Sequence, residues 1–201
     1  ELDSVLYVWD PDSGPQHENG RLVEWQRIRT KGASKWQFLR CNGQAYLAVA
    51  QTARDFGAED NSTLLFRYTN SRFLPFQTLP GGSGAGGSDL AGAEVEGVCV
   101  LAVGAECEGC SLLWALSPSS DSGKFVQVAQ VPASEVVGLD LFSAGLTSIL
   151  AVTGLDRTAS ASDLYTAGPM VVMFSVEVNA TDWTVKLVDM SPTVEGRGRR
   201  W

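Results

Sequence analysis

Cys107-Glu108-Gly109-Cys110 is the tightest pair of reactive side chains in this 201-residue chain. Two thiols flanking a two-residue turn suit three chemistries: a disulfide stapling a hairpin tip, a redox dithiol, or half of a zinc site. The redox dithiol needs a βαβ context and a helix N-terminus to lower a thiol pKa, and the sequence around these cysteines offers neither. A zinc site needs two further ligands, yet His17 is the single histidine and there is no second Cys-x-x-Cys. A disulfide between Cys107 and Cys110 is therefore expected, within covalent reach though strained. Cys41 and Cys99 fall on predicted strands, and their pairing stays open.

Other chemistry is thin. No motif around His17 supports a Ser-His-Asp triad. The carboxylate pairs Asp10 and Asp12, Glu59 and Asp60, and Glu106 and Glu108 read as solvated loop charge. Calcium is their sharper use, because a hard cation gathers several oxygens, but no Asp-x-Asp-x-Asp-Gly run supports it. No cofactor is expected, with calcium the one alternative. Ser119-Ser120-Asp121-Ser122-Gly123-Lys124-Phe125 resembles the sialidase Asp box, one residue short, and turn chemistry explains the same residues. Arg197-Gly198-Arg199-Arg200 fits a basic convertase pattern or a solvated loop. With no catalytic set legible, the chain is expected not to be an enzyme.

Two sequons, Asn61-Ser62-Thr63 and Asn179-Ala180-Thr181, are expected to carry N-glycans on exposed turns and point to the secretory pathway, extracellular or at the cell surface. Glu1-Leu2-Asp3 does not read as a signal peptide, which suits a mature or internal stretch of a secreted protein. A net charge of −8 from 23 acidic and 15 basic residues repels phosphate backbones and anionic lipid. No stretch approaches the roughly 20 apolar residues of a membrane span. Neither nucleic-acid binding nor membrane insertion is expected.

The elements that position these residues follow a beat. Leu47-Ala48-Val49, Leu101-Ala102-Val103 and Leu150-Ala151-Val152 recur at offsets of 54 (101 − 47) and 49 (150 − 101). Leu22-x-x-Trp25-Gln26-x-Ile28, Phe73-x-x-Phe76-Gln77-x-Leu79 and Phe125-x-x-Val128-x-x-Val131 keep nearly the same spacing. A period of about 50 residues built from short strands signals a propeller-like or stacked all-β fold. Fourteen strands are predicted, from Val5–Asp10 to Thr184–Met190, bounded by Gly, Pro, Ser, Asn and Asp. They divide into a half blade (1–34), three blades of four antiparallel strands (35–80, 81–132 and 133–192) and a tail (193–201). Asn42-Gly43 is a type I′ hairpin signal. The Leu-Ala-Val strand, apolar on both faces, suits the middle of a stack. The Gly-rich run Pro80–Ser88 reads as a long loop within one domain, because the beat continues across it.

Trp25-Gln26-Arg27-Ile28-Arg29-Thr30-Lys31-Gly32-Ala33, then Tyr46-Leu47-Ala48-Val49-Ala50-Gln51, then Leu65-Phe66-Arg67-Tyr68 resemble the EPTP or EAR (epilepsy-associated) repeat over residues 1–80. Val5-Leu6-Tyr7-Val8-Trp9 fits the aromatic strand of that repeat better still. The resemblance implies a seven-bladed β-propeller of extracellular proteins, with protein–protein binding as its activity. Fourteen strands would be half of such a ring.

The sequence is expected to encode a non-enzymatic extracellular interaction or assembly module. The alternatives are a carbohydrate-active propeller, of sialidase, glycosidase or lectin type, and a structural subunit of a filament or coat. Unpaired edges at Leu6, Tyr7, Val8 and Trp9 and at Val185, Leu187 and Val188 are expected to meet other protein chains or further segments of the same polypeptide.

Overall fold

The computed structural model describes residues 2–12, 20–51, 62–80, 87–105, 111–116, 123–131, 136–155, 169–179 and 184–190. They form fourteen strands: β1 (Leu2–Asp10), β2 (Arg21–Thr30), β3 (Ala33–Cys41), β4 (Gln44–Gln51), β5 (Ser62–Thr69), β6 (Arg72–Pro80), β7 (Gly87–Val95), β8 (Val98–Ala105), β9 (Leu112–Leu116), β10 (Phe125–Gln130), β11 (Val136–Ala144), β12 (Thr147–Leu155), β13 (Pro169–Asn179) and β14 (Thr184–Asp189). Every predicted strand is present, with ends that move by a few residues.

The strands pair in chain order into one two-stranded and three four-stranded antiparallel sheets: β1–β2, β3 to β6, β7 to β10, and β11 to β14. We call these blades 1 to 4. They stack face to face as β-propeller blades, with β3, β7 and β11 the innermost strands, and make an arc of three and a half blades. Among the described residues, blade 1 holds two strands, which correspond to the two outer strands of the other blades.

Three apolar cores lie between successive blades. Blades 1 and 2 bury Ile28, Leu47, Val49, Phe66 and Phe73. Blades 2 and 3 bury Leu39, Ala48, Leu65, Leu101, Trp114 and Phe125. Blades 3 and 4 bury Val100, Ala102, Leu113, Leu150, Val152 and Phe174. Alternation puts successive residues on opposite faces, so the Leu-Ala-Val strands of blades 2 and 3 each feed two cores, while that of blade 4 feeds one. Leu101 packs toward blade 2 and Ala102 toward blade 4. Every residue of β8 is buried as a result.

The inner hairpins turn tightly. Asn42 and Gly43 have φ of 49° and 77°, the two positive values a type I′ turn requires. Glu96 and Gly97 repeat it at 49° and 78° in blade 3. Gly92 on β7 has a different role: a Cβ there would collide with the Leu39 side chain, so glycine lets β3 approach β7.

Candidate functional site

The repeated aromatic-Gln phrase is a β-bulge. In β2, Leu6 faces Gln26 and Tyr7 faces Glu24, which leaves Trp25 unmatched. In β6, Leu65 faces Gln77 and Phe66 faces Pro75, leaving Phe76. In β10, Leu113 faces Ala129 and Trp114 faces Gln127, leaving Val128. The extra residue re-aims the side chains that follow it, and the glutamine turns into the next blade. Gln26 Nε2 donates to the Phe73 carbonyl at 2.7 Å, and the Phe73 N–H donates back to Gln26 Oε1 at 3.0 Å. One repeat later, Gln77 Nε2 donates to the Phe125 carbonyl at 2.8 Å, and the Phe125 N–H returns to Gln77 Oε1 at 2.8 Å. A carboxamide offers one donor and one acceptor side by side, as a peptide group does. It therefore completes one residue of an outer strand and blocks that edge against other strands. Aromatic rings close around the first clamp: Trp25 lies 6.0 Å from Phe73 and 6.1 Å from Tyr68, centroid to centroid.

The third interface lacks this clamp. Ala129 holds the glutamine position and carries no amide, while Leu187, opposite Val176 as Phe73 is opposite Tyr68, holds the receiving position on β14. The link there runs through the innermost strands instead. Asp89, at the start of β7, accepts the Leu139 N–H of blade 4 at 2.7 Å and its neighbour Leu90 N–H at 2.9 Å. Lys35 of blade 2 reaches the same carboxylate at 2.9 Å. Inner-strand bulges at Ser34, Ser88 and Val137 place Lys35, Asp89 and Gly138 at one register position. Asp89 thus ties three blades together near the mouth of the arc. Three N–H donors converge on its oxygens, an arrangement suited to holding strands rather than to moving protons.

Blades 2 and 3 have a covalent link as well. Cys41, the last residue of β3, is disulfide-bonded to Cys99 on β8, with a Cα–Cα distance of 5.7 Å and both residues buried. Nearby, Asn42 N–H donates to Glu94 Oε2 at 2.9 Å and Asn42 Nδ2 to the Gly97 carbonyl at 3.3 Å, joining two inner hairpins. The Tyr46 ring packs 5.5 Å from Phe76 and 5.8 Å from Phe125, and burial raises the pKa of its phenol.

A cleft of about 540 Å³ opens between β2 and β6 over a floor of β5, with Ile28, Leu64, Phe66, Phe73 and Pro75 among its lining. Among the described residues no group of three or more His, Cys, Asp or Glu is placed to hold a metal ion.

The expected sites are distributed as follows. Cys107, Cys110 and Asn61 lie outside the described residues. Asn179 ends β13 and is exposed. Tyr7, Val8 and Trp9 are exposed. Leu6 is not: it packs against the core between blades 1 and 2. Val185 and Leu187 likewise face the core between blades 3 and 4, because strand alternation turns them toward blade 3, and Val188 is half-buried on the opposite face. The exposed apolar residues at that end are Val137, Phe142, Val171 and Met173. The glutamine clamps and Asp89 escaped the sequence reading. The recurrence of Gln after an aromatic was the one available signal for the clamps.

No protein-family model matches the chain. No curated sequence matches it either. Among solved structures it is similar to an alpha-L-arabinofuranosidase from Lactobacillus brevis, at 13% identity and a TM-score of 0.48, covering 92% of this chain and 65% of that one. It is also similar to a mannose phosphorylase from Leishmania mexicana in complex with phosphate ion, at 11% identity and a TM-score of 0.40, covering 85% of this chain and 55% of that one. The chain thus spans less than two thirds of either. The expectation that the chain is no enzyme does not stand, since both similar structures are enzymes by name, although likenesses at 13% and 11% identity assign no activity to this chain.

Proposed function

We propose that this chain is an arc of a β-propeller that works when further blades cover its two open faces. One observation carries the proposal. Tyr7 is 57% exposed, whereas the residues at its register position in the other blades, Phe66, Trp114 and Phe174, are 6%, 5% and 3% exposed. Each of those is covered by the preceding blade. The other end repeats the pattern: Met173 is 41% exposed, while its equivalents Leu65 and Leu113, covered by the following blade, are 1% and 0%. Contiguous apolar patches of this kind mark interaction surfaces. The covering blades come from more of the same polypeptide or from another chain, in an oxidising compartment that suits the Cys41–Cys99 bond.

For the completed ring, a carbohydrate-directed role is the reading we favour over an EAR-type interaction module. Lys35 and Asp89 bring opposite charges together at the inner-strand mouth, where a polar ligand would enter a ring. The activities of the arabinofuranosidase and the mannose phosphorylase suggest the substrate class to try. The EAR-like phrases keep a structural meaning under either reading, as the bulge and clamp that join blades.

The experiment pairs Tyr7→Asp and Met173→Asp in the intact protein. Each is expected to cost little in residues 1–201 alone and to disrupt the completed assembly, read by light scattering and thermal melting. Full tolerance of both charges in the intact protein would refute the arc. A glycan array and a fluorogenic glycoside panel on the intact protein then decide the carbohydrate role, and silence in both would overturn it.

A further inference from the structure

We infer that the face of blade 1 is a receptor for one particular kind of strand: an outer strand of another blade with a bulged apolar residue followed by glutamine, whose carboxamide pairs with the backbone of Leu22. This rests on the arc proposed above and names the chemistry of its partner.

Leu22 lies opposite Trp9, as Phe73 lies opposite Tyr68. By register, Leu22 of blade 1, Phe73 of blade 2 and Phe125 of blade 3 are one position. At Phe73 and Phe125 the preceding blade supplies a glutamine that satisfies both backbone groups, with all four N···O distances between 2.7 and 3.0 Å. The aromatic residue before each glutamine packs toward the same neighbour: Trp25 beside Phe73, and Phe76 against the core that holds Phe125. Blade 1 presents matching surroundings, since Tyr7, Trp9 and Leu22 are 57%, 59% and 63% exposed on a strand pair that no blade among the described residues covers.

A second copy of this chain fits that receptor poorly. Its terminal outer strand, β14, runs against β13 from Thr184 to Asp189 with no bulge. Met190, opposite Met173 as Gln77 is opposite Leu65, stands at the glutamine position, and its thioether has no donor for the Leu22 carbonyl. Ala129, on the other bulged strand without glutamine, offers no polar group at all. The occupant is therefore a different blade that carries the carboxamide.

The test places photoreactive benzoylphenylalanine at Tyr7 in the intact protein and identifies the cross-linked peptide by mass spectrometry. The expected peptide contains an apolar-Gln pair with an apolar residue two positions later. Changing that glutamine to leucine removes the acceptor of the Leu22 N–H and should speed hydrogen exchange at Leu22 about tenfold, while the cross-link at residue 7 persists. A cross-link to residues 184–190 of a second copy overturns the inference, as does one to a strand without a carboxamide or an unchanged Leu22 exchange rate. Those outcomes leave the arc standing. Absence of any cross-link removes both.

Discussion

Reducing the Cys41–Cys99 bond should destabilise the protein by an amount that its position in the chain sets. The two residues are 58 apart in sequence and join blades 2 and 3. The chain-entropy model gives a loop of that length about 14 cal/mol/K, or about 4 kcal/mol at 25 °C. For a chain of this size each kcal/mol moves the melting temperature by about 2–4 °C, so the expected drop is about 8–16 °C. Both cysteines are buried, so a reductant reaches the bond through opening of the blade interface rather than from the native surface. The assay is calorimetry of the oxidised protein beside protein reduced after unfolding and refolded with reductant, which compares identical side chains. Cys99→Ala serves as a control, since it breaks the same bond and adds only a small void. Melting temperatures within about 2 °C in the oxidised and reduced states would refute the entropic reasoning. Alkylation of Cys41 in the non-reduced, unfolded protein would refute the bond itself.

The clamps make separable predictions. Gln77→Leu should cost about 2 kcal/mol, from two hydrogen bonds at about 1 kcal/mol each, and denaturant titration checks it; a loss within error would assign blade cohesion to the apolar core alone. Ala129→Gln, placed after the bulge at Val128, should gain about 1 kcal/mol by reaching the Leu187 backbone, visible as a higher urea midpoint with an unchanged slope. A neutral or destabilising result would show that the third interface is too wide for the device. Burial raises the Tyr46 pKa, so the neutral phenol stabilises the fold below the ordinary tyrosine value of about 10, and that contribution is lost as pH rises through the folded value. Tyr46→Phe should flatten that alkaline loss, and a stability profile above pH about 10 that is identical in both proteins would sink the assignment.

The sequence alone determined the blade count and the order of strands. Alternation, strand length and turn chemistry are local, so Asn42-Gly43 announces its turn and Leu-Ala-Val its buried strand wherever they occur. The same locality explains why the half blade at the start was legible: Leu6-Tyr7-Val8-Trp9 reads like Leu65-Phe66-Arg67-Tyr68 because each strand meets the same kind of neighbours.

What joins the blades was decided by the tertiary structure. Cys41 finds Cys99 because Cys41, ending β3, and Cys99, on β8, meet across a blade interface, and nothing near either residue in the sequence encodes that meeting. Gln26 and Gln77 look like ordinary polar residues on exposed strands until a one-residue bulge turns them onto a backbone 47 or 48 residues away. Asp89 directly follows a Gly-rich run that reads as loop and precedes the predicted strand, yet it meets donors from blades 2 and 4. Val185 and Leu187 looked like an open edge, but a period of two sends them into a core that exists only when blade 3 is in place. A hydrophobic period specifies which face of a strand is buried. The partner that buries it, and the polar atoms that must be satisfied there, are properties of the assembled stack.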